Sequence, residues 1–71
     1  MLTKPQIYNA SSYIAGAAVT CHGKMERNRL VSILVGFVEV LDEGLERDKF
    51  IASVLVKEQK MRRLWPIRKA V

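Results

Sequence analysis

Apolar positions recur along this chain with a helical period, and they are densest in its middle. Nine of the twelve residues from Leu30 to Leu41 are large and apolar. Wound as a helix, this segment leaves a narrow non-apolar line of Ser32, Gly36, Glu39 and Glu43. Steps of four, three and four residues stack these positions on one face. A helix that is apolar on most of its remaining surface has to be covered on most of it. The pattern predicts a second helix over about 24–42, flanked by one on each side.

The first helix is predicted over about 3–22. Ile7, Ala10, Ile14, Ala17 and Cys21 recur at steps of three and four. Its start carries agreeing cues: Thr3 as N-cap with Gln6 three residues on (a capping box), Pro5 in the first turn, and Leu2 and Ile7 at the hydrophobic-staple positions. Gly23 is the expected left-handed stop after His22. Ser11, Ser12, Ala15, Gly16, Ala17 and Ala18 leave little side chain on this helix, so a neighbour can approach closely. Gly36, the one small residue among large ones, is the expected point of that crossing, and Tyr8 and Tyr13 are expected at the edges with wet hydroxyls.

The third helix is predicted over about 46–64 from Phe50, Ile51, Val54, Leu55, Met61, Leu64 and Trp65. Gly44 is the expected stop before it, with Leu45 folding back on the end of the second helix. Pro66 disfavours helix at Trp65, and residues 65–71 form a loose tail, both basic and apolar. Two alternatives compete. The β-branched residues Val31, Ile33, Val35, Val38 and Val40 also suit a buried strand. Gly44 costs only about 1 kcal/mol inside a helix, so the second and third helices are also readable as one rod.

Length turns this pattern into an expectation about assembly. The 71 residues allow one domain, and a chain of this size buries only about 60% of its unfolded surface. Cys21 is the only cysteine, so an internal disulfide is excluded, and one His beside one Cys does not close a zinc site. Association is the remaining staple. The predicted architecture is an all-α three-helix domain that self-associates, a dimer being favoured, through Leu30, Ile33, Leu34, Phe37, Val38, Leu41, Ile51, Val54 and Leu55. A lone thiol fits a reducing, cytoplasmic setting. Residues 7–19 lack the dense apolar run of a secretory signal, and twelve apolar residues fall short of the roughly 20 that span a bilayer.

Charge adds a polarity. The chain holds 12 Lys and Arg against 7 Asp and Glu, a net of +5. With helices running up, down and up, one pole collects Lys24, Arg27, Arg29, Lys57, Lys60, Arg62, Arg63, Arg68 and Lys69 against Glu26 and Glu58, a net of +7. The other pole carries −2. With Trp65 available to stack on a base, the basic pole is a candidate surface for an anionic partner, either nucleic acid or acidic protein. The same cations also suit a solvated end that offsets helix dipoles.

No reaction chemistry emerges. Adjacent Cys21 and His22 point about 100° apart on a helix, which is poor geometry for a nucleophile and its base. Glu39 and Glu43 share a face but have no His or Asp placed to complete a site, so they read as its wet edge. A helix-turn-helix over the second and third helices would put Glu46 and Asp48 against phosphates. No catalytic residue, cofactor or metal ligand is assigned. The expected function is a non-catalytic interaction protein that binds a partner protein as regulator, adaptor or inhibitor. A nucleic-acid-binding regulator is the alternative. Chains this small are often accessory proteins of phages or mobile elements, an association by size alone.

Overall fold

Helix α1 (Lys4–Val19) begins where its local chemistry dictates. In this computed structural model, which describes residues 1–64, the Thr3 hydroxyl accepts from the Gln6 backbone N–H at 3.3 Å. The Gln6 side chain accepts from the Thr3 N–H at 2.9 Å, closing the capping box. Leu2 and Ile7, the staple pair, are partly buried against the core. Helices α2 (Lys24–Leu41) and α3 (Arg47–Leu64) follow, and there is no strand among the described residues. The segment 30–41 is helical, which removes the strand alternative. The tail 65–71, with Trp65, Arg68 and Lys69, lies outside the described residues.

Both connections differ in detail from what the glycines suggested. Helix α1 stops at Val19 rather than near His22, because Thr20 folds its hydroxyl back onto the Ala17 carbonyl at 2.6 Å. Thr20 N–H also reaches Ala17 and Cys21 N–H reaches Ala18, tightening the last turn to three-residue spacing. Gly23 is extended, at φ −125°, and serves as the N-cap of α2 rather than as a left-handed stop. The rod alternative fails at Asp42. This residue leaves the helical region, and its carboxylate accepts from the Gly44 N–H while its carbonyl accepts from the Leu45 N–H. An Asp side chain that bonds the backbone two residues on supplies the turn itself. Gly44 has no left-handed φ, so the stop belongs to Asp42.

The helices run up, down and up, as the charge map assumed. Helix α1 packs most closely on α3, its parallel neighbour. The core comprises Ile14, Ala15, Ala18, Val31, Val35, Val38, Phe50 and Val54. The small face of α1 does permit close approach, but α3 occupies it rather than Gly36 of α2. Of the expected stripe Ile14 and Cys21 are buried, Ile7 and Ala10 are partly buried against the core and Ala17 is half-buried, while Ser11, Ala15, Ala18 and Val19 join the buried side of α1. Ser11 tolerates burial because its hydroxyl donates to the Tyr8 carbonyl at 2.7 Å and accepts from Lys57. No described helix is long and apolar enough to cross a membrane.

Candidate functional site: the uncovered face of α2

The side of α2 that faces the bundle is lined by Val31, Val35 and Val38. With 3.6 residues per turn, the side opposite these carries Ile33 and Val40, flanked by Phe37 and Leu41. They are 54%, 79%, 65% and 63% exposed respectively. Steps of three and four residues make them neighbours, so they form one apolar stripe along the helix. Leu30 and Leu34 border it and are half-buried. On the other border lie Arg29, which is exposed, and Gly36, seven residues on.

The residues expected at an interface therefore separate. Ile33, Phe37 and Leu41 are exposed, and Leu30, Leu34, Ile51 and Leu55 are half-buried. Val38 and Val54 are core residues, buried inside the chain itself, and the interface reading of these two is corrected. Val40, absent from the expected set, is the most exposed member of the stripe. Its signal was its seven-residue separation from Ile33.

The polar line of α2 is explained by α3. Arg47 pairs with Glu39 through Nη1 and reaches the Ser32 hydroxyl at 3.4 Å through Nη2. Glu39 is thus an anchor for α3 rather than half of a carboxylate pair with Glu43. Gly36 lies on this line but meets nothing: a Cβ built there has no neighbour within 4 Å. The expected crossing at Gly36 is absent because α1 contributes its small face to α3. In dilute solution, Gly36→Ala is expected to stabilise the fold by about 0.5–1 kcal/mol through reduced backbone freedom, read as a higher urea midpoint.

The basic pole is partly consumed by the fold. Glu58 is 1% exposed, and its two oxygens accept from Arg27 Nη1 at 2.6 Å and Arg62 Nε at 2.7 Å. Arg62 also donates to the Ala18 and Cys21 carbonyls at 3.1 and 3.4 Å, at the end of α1. Helix α1 has no cation in its own last turn, so Arg62 supplies the charge its C-terminus favours. Lys57 donates to the Tyr8 carbonyl at 3.1 Å and to Ser11, with its ammonium 3.4 Å from the Tyr8 ring centre. Burial pushes the Lys57 pKa below the ordinary lysine value. Lys24, Arg29, Lys60 and Arg63 are exposed and make no ion pair among the described residues.

Cys21 and His22 are not brought together. Cys21 is buried with its Sγ 4.0 Å from the Ala17 carbonyl, and His22 is exposed. Comparisons with protein-family models, curated proteins and solved structures returned no match.

Proposed function

We propose that this chain is a non-catalytic interaction protein that self-associates through the outer face of α2 and binds a partner protein as regulator, adaptor or inhibitor. The observation that carries the reading is the stripe of Ile33, Phe37, Val40 and Leu41, left in water on a helix whose other side is core. Single exposed apolar residues are ordinary, but a contiguous row of large ones marks an interaction surface. The small size of the domain supports the same reading, because covering the stripe adds apolar burial that one core of this size lacks.

The nucleic-acid reading has weaker support. Arg27, Lys57 and Arg62, three of its contributors, are engaged inside the fold, so fewer cations remain for phosphates. The test is molar mass. Light scattering and sedimentation at micromolar concentration are expected to give a dimer for the natural chain. Phe37→Asp is expected to give a monomer with unchanged helical circular dichroism. A natural chain that stays monomeric over this range overturns the reading.

A further inference from the structure

A groove between α1 and α3 is lined by cations without acids. Resting on the proposal above that the chain binds a partner protein, we infer that the partner meets it along the outer face of α3, through an acidic segment that carries apolar side chains. Lys49, Val56, Lys60 and Arg63 are separated by seven, four and three residues, so they stack on one face of α3, and all four are exposed. The groove beside them, about 520 Å³ in volume, is walled by Tyr8 on α1 and by Lys49, Lys57 and Lys60 on α3. Among the described residues no carboxylate lines it. The acids of α3 lie elsewhere. Asp48 is about 100° round the helix from Lys49, and Glu58 is buried with its oxygens taken by Arg27 and Arg62. Glu46, just before the helix, touches Lys49 at 3.1 Å, but both groups are mostly in water, where such a pair is worth little and yields to a stronger partner.

Spacing and composition select the occupant. Lys49 and Lys60 stand about 16 Å apart along the helix axis. A lone phosphate or carboxylate is too small to meet both, whereas an acidic chain segment presents carboxylates along that length. Between the two lysines the surface is apolar: Ala52 is exposed and Val56 is 60% exposed. An apolar centre with charges around it is the anatomy of a protein interface, while a surface for nucleic acid places further polar donors there for phosphates. Tyr8 is also poorly placed to stack on a base, because the Lys57 ammonium sits 3.4 Å from its ring centre and takes one face. Lys57 is itself held by the Tyr8 carbonyl and the Ser11 hydroxyl, which leaves one of its three N–H donors for the partner.

The test is fluorescence anisotropy at low ionic strength, with a labelled peptide repeating Glu-Leu-Glu-Glu, a peptide of glutamate alone, and an oligothymidylate of equal charge. The leucine-bearing peptide is expected to bind most tightly, and to be released as added salt screens the exposed lysines. Lys49→Glu combined with Lys60→Glu is expected to weaken it about 10-fold, and the milder Lys49→Gln with Lys60→Gln about 3-fold. Lys24→Glu combined with Arg29→Glu changes the net charge by the same amount on another surface and is expected to stay within about 2-fold of the natural chain. Circular dichroism checks the fold of each variant. The inference is overturned by a natural chain that does not bind the leucine-bearing peptide, by equal losses in the two charge-reversed variants, or by tighter binding of the glutamate peptide. Tighter binding of the oligothymidylate also overturns it and makes nucleic acid the partner. Sedimentation of the Lys49→Glu, Lys60→Glu chain is expected to give the same dimer as the natural chain. A natural chain that binds the peptide as a monomer overturns self-association and leaves this surface standing, whereas a dimer that ignores the peptide does the reverse.

Discussion

Replacing Arg27 and Arg62 together by methionine is expected to destabilise the protein by about 3–5 kcal/mol, measured by urea unfolding at neutral pH. The cost falls on Glu58. This carboxylate has almost no contact with solvent, and both of its oxygens are satisfied by the two guanidinium groups. Without them a buried charge has no partner, whereas the guanidinium groups could return to water if Glu58 were removed instead. The two arms are unequal. Arg27 is 20% exposed and Arg62 40%, so water screens the Arg62 arm more strongly and Arg27→Met is expected to be the worse ionic loss. Arg62 has other work, since it holds two carbonyls at the end of α1. The triple variant that also carries Glu58→Met is therefore expected to recover most of the loss, but to remain about 1 kcal/mol short. A double variant with the stability of the natural chain would show that the ion pairs do not hold the three helices together.

The parts of this architecture that local chemistry decides were visible in the sequence. Thr3, Pro5 and Gln6 specify the start of α1 without help from any other element, and the structure places the cap on those residues. The helical period of 30–41 and 50–64 likewise specifies α2 and α3. What the sequence concealed depends on partners far apart in the chain. Glu58 looked like one of two acids diluting a basic pole, and only the pairing of α2 with α3 brings Arg27 to it, 31 residues away. Lys57 looked like a surface cation until α3 set it beside Ser11 and Tyr8. Gly23 and Gly44 drew attention away from Thr20 and Asp42, whose side chains end α1 and α2 by bonding nearby backbone. For the candidate site, apolar periodicity pointed to α2 but did not separate its two apolar sides. Val38 and Phe37 are adjacent and equally apolar, and only the positions of α1 and α3 decide that Val38 is inside and Phe37 outside.

The two phenylalanines convert that distinction into a measurement. Phe50→Ala is expected to cost about 3–4 kcal/mol of stability, within the usual range for deleting a buried aromatic ring. The remaining core is Ile14 with four valines and two alanines, so Phe50 supplies the largest single apolar surface in it. The lower part of the range applies because Phe50 lines an open groove of about 400 Å³ between α1 and the start of α3, bordered by Ile7, Ser11 and Leu45. Water entering from this groove limits the penalty of an empty cavity. Total stability for 71 residues is on the order of 4–10 kcal/mol, so the variant is expected to lose a large fraction of it, read as a lower urea midpoint and melting temperature. Phe37→Ala removes the same ring from a position that is 65% exposed and is expected to change monomer stability by less than about 0.5 kcal/mol. Its effect is expected on association instead, since truncating a central aromatic anchor typically weakens an interface by about 2 kcal/mol or more. Paired urea titrations and sedimentation runs on the two variants separate core from surface. Equal loss of fold stability in both would place Phe37 in the core and remove the basis for an interaction face on α2.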